Sequence, residues 1–147
     1  MKKIRHGVFE TNSSSSHSIS IADAGSLLDT ILPDSDGRIT LQGGEFGWGY
    51  EEYSDAQTKA SYLAVYAQEY CGDSDTYKDL LDKILKEQTG AKEVIYNFSA
   101  DDGHGHWSYI DHQSTDVPQD VFREGEEAIR QFIFNPLSIL VIDNDNH

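Results

Sequence analysis

Near the end of the chain lies an apolar run, Leu137-Ser138-Ile139-Leu140-Val141-Ile142. A run this short, set between Asn135-Pro136 and the polar tail Asp143 to His147, predicts a central strand buried in a sheet. Such a strand requires pairing partners and a covering layer, so the rest of the chain is read for both. Residues 3–9 (KIRHGVF) hold enough β-branched and aromatic side chains for a first strand. Residues 16–22 (SHSISIA) alternate polar and apolar, the pattern of a half-buried strand. Alternation also sets His17 on the face opposite to Ser16 and Ser18. Glu10 to Ser15 joins the two as a turn, where Asn and Ser side chains bond nearby backbone amides. Arg38 to Gln42 and Lys92 to Phe98 read as further strands.

The covering layer is predicted from three helices. Ser54-Asp55 starts the first, and Ala56 to Tyr70 continues with helical spacing. Its stripe of Tyr62, Leu63, Val65, Tyr66 and Tyr70 is a core face. Gly72 ends it. Asp73-Ser74-Asp75 then caps a second helix over about Thr76 to Gln88, with Leu80, Leu81, Ile84 and Leu85 inward and Thr89-Gly90 closing it. The short link predicts a helical hairpin. Pro118 suits a helix N-terminus, and a third helix runs from there to about Phe134, with Glu124, Glu126 and Glu127 on its exposed side. Leu27-Leu28 to Leu32 is a short apolar piece, followed by a turn at Pro33 and Asp36-Gly37. The expected fold is α+β: one domain over residues 1–147, mostly antiparallel sheet, with a helical hairpin and one further helix. A chain of 147 residues can bury a core without metals or disulfides.

Charge narrows the partners. The formal net charge is −15, unevenly spread. Residues 1–20 carry Lys2, Lys3 and Arg5 against Glu10, a net of +2, and the remainder carries 8 basic and 25 acidic residues, a net of −17. Such a body repels nucleic acid except at the basic N-terminus. It suits docking on a basic protein groove, or it serves solubility alone. The lone Cys71 gives no internal disulfide and fits a reducing compartment. No apolar run approaches the roughly 20 residues that span a membrane. The basic start, Met1 to His6, leads into Gly7-Val8-Phe9-Glu10 rather than a signal core. The expected location is cytoplasmic, with no membrane partner.

Chemistry-bearing residues gather in two places. The first, Arg5 to Ser18, packs a guanidinium, a carboxylate, an amide, two imidazoles and five serine hydroxyls into 14 residues. Metal-free RNA cleavage needs a base for the 2′-hydroxyl, an acid for the leaving oxygen and a cation for the phosphate. Glu10, His17 or His6, and Arg5 supply those types. Asn12, Ser13, Ser14 and Ser15, with the turn's amides, offer donors to phosphate oxygens. A serine nucleophile activated by histidine is a second possibility, and a turn whose hydroxyls satisfy its own backbone is the plain alternative. The second place is Asp101 to Ser114. His104 and His106 with Asp101, Asp102, Asp111 and His112 have the donor types for zinc or manganese, but on a flexible glycine loop. More plausible than a metal is Asp111 paired with His112 as acid–base partners at a strand end; the plain alternative is a solvated loop. The expectation is a site with no metal and no cofactor. Gly43 to Tyr50 sets four glycines among aromatics. It lacks the Lys-Ser/Thr ending of a phosphate loop and reads as a structural bend ahead of a ligand loop.

The stretch Val8-Phe9-Glu10-Thr11-Asn12-Ser13-Ser14-Ser15-Ser16-His17-Ser18 resembles the opening of a family of largely uncharacterised phage and mobile-element proteins. Those proteins begin with a short basic strand and a Phe-Glu-Thr-Asn-Ser-Ser-Ser-Ser/Thr-His-Ser motif. Gly44-Glu45-Phe46-Gly47-Trp48 and Tyr109-Ile110-Asp111-His112-Gln113-Ser114 also look like that family. The resemblance implies a phage or mobile-element accessory role, counter-defence included, in the host cytoplasm. It implies no established reaction. If the three segments share a pocket, then Arg5, Glu10, Asn12, His17, Asp111 and His112 line it. Three functions stand against each other. The first is a metal-independent, endoribonuclease-type enzyme acting on RNA. The second is a non-enzymatic acidic inhibitor, anti-CRISPR-like, that mimics nucleic acid on a nucleic-acid-binding host protein. The third is an interaction module in which Ser13 to Ser16 serve as cap and turn.

Overall fold

The apolar run becomes an interior strand. The computed structural model describes residues 2–6, 15–21, 28–42, 45–46, 51–69, 74–97, 109–110 and 116–144. In chain order these form β1 (Lys2–His6), β2 (Ser15–Ile21), β3 (Arg38–Gln42), β4 (Glu45–Phe46), β5 (Glu51–Tyr53), α1 (Ala56–Glu69), α2 (Ser74–Thr89), β6 (Glu93–Asn97), β7 (Tyr109–Ile110), α3 (Asp116–Glu124), α4 (Glu126–Phe134) and β8 (Ile139–Asn144). The fold is α+β. Its main sheet has the order β1-β2-β8-β5, antiparallel throughout, so β8 is paired along both edges. Leu140 and Ile142 are buried on one of its faces. The run's first two residues precede the strand: Leu137 is 58% exposed, whereas Ser138 is fully buried in a turn.

Two smaller parallel pairs complete the strands. β3 pairs with β6 from Arg38↔Glu93 to Gln42↔Asn97, and β4 pairs with β7 through Glu45↔Tyr109 and Phe46↔Ile110. The β3–β6 pairing is parallel because α1 and α2 lie between the two strands and return the chain to its starting end, the crossover a parallel pair needs.

α1 is the helix around which the others gather. It contacts α2, α3, α4, β3 and β7, and every residue from Lys59 to Ala67 is buried. A helix buried all round can sit only at the centre of a core. Its start is set by Asp55, whose Oδ2 accepts the Thr58 backbone N–H at 2.8 Å, an N-cap bond. α2 turns Leu81, Ile84 and Leu85 inward and ends at Gly90, whose φ of +76° is the left-handed conformation of a glycine cap. Tyr66 of α1, Tyr77 of α2 and Phe122 of α3 meet as one aromatic group, the last two stacked with centroids 4.5 Å apart.

The third expected helix is divided. Gly125 stands between α3 and α4 with φ +106°, a conformation that side chains resist, and its N–H bonds Phe122 O at 3.2 Å. Pro118 sits in the first turn of α3, where its missing N–H leaves no helical bond unmade. Val117, Val121 and Phe122 of α3 and Ile129, Phe132, Ile133 and Phe134 of α4 are buried. α3 packs on β1 and β2, and α4 packs on β2, so both cover the same sheet. The buried side chains form one continuous cluster. No helix of the described residues is long and apolar enough to cross a membrane.

Candidate functional site

The β1–β2 register orders the N-terminal polar residues. Arg5 pairs with Ser18, and His6 pairs with His17. The rows continue across β8 and β5. His17 is opposite Ile142, which is opposite Glu51, and Ser18 is opposite Val141, which is opposite Glu52. Ile19 and Ile21 are buried at 0% and 4% exposure, which marks the core face of β2. Register sets His6 and His17 opposite one another in one row, next to the row of Arg5 and Ser18. The register therefore divides the expected cluster, with the two histidines in one row and the guanidinium in the next.

The hairpin's connecting residues hold the rest of that cluster. Glu10, Asn12, Ser13 and Ser14 lie outside the described residues, and Ser15 opens β2 opposite Asn144. The expected first strand over 3–9 is described as far as His6. Asp111 and His112 also lie outside, directly after β7. The β4–β7 pair joins Glu45-Phe46 to Tyr109-Ile110. The zinc or manganese donors Asp101, Asp102, His104, His106, Asp111 and His112 are outside as well. Among the described residues, no group of three or more His, Cys, Asp or Glu is placed to hold a metal ion.

A second polar cluster, not anticipated from the sequence, lies at the corner between α4 and β8. Lys59 of α1 is fully buried, and its Nζ donates to Asn135 O and Ser138 O, each at 2.9 Å. The ammonium lies 5.8 Å from the centroid of the Phe132 ring. Asn135 Nδ2 donates to Gln131 Oε1 at 3.0 Å, and Asn135 Oδ1 accepts the Leu137 N–H at 3.0 Å. Ser138 Oγ donates to Gln131 O at 2.7 Å. Gln131 Nε2 in turn donates to Glu127 Oε1 at 2.9 Å, which with Arg130 holds that carboxyl below its usual range. The cluster adds side-chain donors to the carbonyls of Gln131, Asn135 and Ser138, where α4 ends and the chain turns into β8. Burial pulls the Lys59 ammonium down to about 8, against the opposing pull of Asp29 and Asp55. The available signal was positional: Lys59 falls in the stripe Lys59, Tyr62, Leu63, Tyr66, a charged residue in a core register.

Three of the body's cations meet carboxylates of the same chain. Arg130 bonds Glu127 at 2.9 Å and Glu87 at 3.2 Å, Lys83 meets Glu126 at 2.5 Å, and Arg38 meets Glu93 at 3.1 Å. Lys78 lies over the Tyr96 ring, 4.8 Å from its centroid, and the Tyr96 hydroxyl donates to Asp82. Burial and the Asp82 carboxylate push that hydroxyl above its ordinary range, which keeps it protonated. No family model matches the chain, no curated protein matches it in sequence, and no solved structure matches it.

Proposed function

We propose that the N-terminal hairpin carries a metal-independent phosphodiester-cleaving site that acts on RNA. The observation that supports it is the cross-strand pairing of His6 with His17. Directly opposed residues have Cβ atoms about 4.5–5.5 Å apart, close enough for two imidazoles to act on one ligand. Imidazole is the side chain that both gives and takes protons near neutral pH. One histidine removes the 2′-hydroxyl proton as that oxygen attacks phosphorus. The other protonates the departing 5′-oxygen. The products are a 2′,3′-cyclic phosphate and a free 5′-hydroxyl, and no metal takes part. Glu10 is the alternative base, and Asp111 with His112 is the second acid–base pair, with Asp111 orienting the ring. Asn12, Ser13, Ser14 and Ser15 hold phosphate oxygens. Arg5, in the row next to the histidines by register, contributes positive potential at the site. The biological setting implied by the resemblance is a phage or mobile-element accessory protein.

The test is cleavage of labelled structured and single-stranded RNA with and without EDTA, with wild type beside Glu10→Gln, His17→Ala and His6→Ala. The expected result is EDTA-resistant cleavage by the wild type and a loss of about 100-fold or more in His17→Ala. Cleavage unchanged in all three variants removes the site, and no cleavage by the wild type removes the enzyme.

The second reading is the acidic inhibitor of a nucleic-acid-binding host protein. It is favoured by the net −17 outside the first 20 residues and by the pairing of Arg38, Lys83 and Arg130 with carboxylates of the same chain. Its mark is binding to such a protein that weakens steeply with salt.

A further inference from the structure

We propose that Lys59 is a protonation-sensitive latch on the corner between α4 and β8, closed most firmly when its amine is neutral. The geometry is that of a latch. One side chain from the central helix reaches two carbonyls, Asn135 O and Ser138 O, on either side of Pro136-Leu137. Those residues end α4 and lead directly into β8, the interior strand of the main sheet. The same turn is closed by Ser138 N–H donating to Asn135 O at 2.9 Å and Asn135 N–H donating to Gln131 O at 3.1 Å.

The acceptors explain why the neutral amine fits. Both are main-chain carbonyls, and a neutral amine has two N–H groups, so losing the extra proton costs neither bond. The charged form makes the same two bonds more strongly and is favoured by the Phe132 ring 5.8 Å away, but it bears the cost of burial, because Lys59 is fully enclosed. Two carboxylates face the ammonium and favour its charge. Asp29 precedes β3 and is tied to the corner by its N–H to Phe134 O at 2.6 Å, and Asp55 caps α1. From α4, Glu127 is reached through Gln131. Burial outweighs these influences, and Lys59 titrates at about 8.

The sign follows from linkage. An opened corner returns Lys59 to water and to the ordinary lysine value of 10.5. Between about 8 and 10.5 the open form binds the proton and the closed form does not, so raising the pH through this window favours closure. Below about 8 both forms are charged and the dependence levels off. The latch lies outside the hairpin and is independent of the proposed cleavage.

The experiment is amide hydrogen exchange of the full chain at Asn135, Leu137 and Ser138, corrected for base-catalysed intrinsic exchange. Protection is expected to rise about tenfold between pH 7 and pH 9 in the wild type and to stay flat in Lys59→Met. Equal slopes in the two proteins, or a flat wild type, overturn the proposal. Should Lys59→Met fail to fold, the wild type decides: the Lys59 side-chain resonances are expected to titrate near 8, apart from the other lysines. Titration together with the other lysines overturns the latch.

Discussion

The N-terminal hairpin and the α4–β8 corner are both rich in polar groups, yet they use them differently. In the hairpin, His6, His17 and Arg5 hold register positions at the end of a sheet, next to a connection rich in Ser and Asn. In the corner, Lys59, Gln131, Asn135 and Ser138 are buried and bonded to one another or to main-chain carbonyls. A polar group near water can be kept for what it does to a ligand. A polar group in a core must be satisfied or it destabilises the fold. Dense polar chemistry in a sequence therefore marks a candidate site, whereas isolated polar residues inside apolar patterns mark structure.

Substitutions separate the two regions. The largest effect is expected at the corner. Phe132→Ala removes a fully buried ring beside the Lys59 ammonium, and stability is expected to fall by about 3–5 kcal/mol in urea unfolding. A loss under about 1 kcal/mol would mean that the corner is less tightly packed than the comparison requires. Asn135→Ala comes next. It leaves the Leu137 N–H and Gln131 Oε1 without their Asn135 partners, and a loss of about 2 kcal/mol is expected. If Asn135→Asp restores most of that, the bond to Leu137 N–H carries the effect; if it does not, the amide donor matters equally. The smallest stability effect is expected in the hairpin connection. Glu10→Gln should leave the unfolding free energy in urea unchanged within about 0.5 kcal/mol while RNA cleavage falls. A large loss of stability with cleavage retained would reverse the roles of the two regions.

Much of the fold was legible because its signals are local. Asp55 caps α1 where a capping residue was expected, and Gly90 closes α2 with the positive φ its position suggested. The alternation of residues 16–22 led to β2, and the apolar run led to β8. Other features carried no such mark. β5 is Glu51-Glu52-Tyr53, which has no apolar alternation and is a strand through pairing with β8. The break at Gly125 was hidden by helical patterning on both sides, since a glycine inside such a pattern is compatible with continuity. In the candidate site, the residue types were visible from the start, but the row that sets His6 opposite His17 depends on register. Register became readable only once Ile19, Ile21, Leu140 and Ile142 had shown which face is buried.

By itself the sequence determined the kinds of element, most of their limits and the places where polar chemistry concentrates. Periodicity, caps and turn residues act over a few residues and need no partner to be read. Tertiary structure decided which strands are neighbours, that β3 and β6 run parallel, that His6 stands opposite His17, and that Lys59 reaches the carbonyls of Asn135 and Ser138. Those choices join residues as far apart in the chain as Ser15 and Asn144. They are settled by which pairings bury the apolar faces and satisfy the buried polar groups together, a property of the whole chain and not of any segment of it.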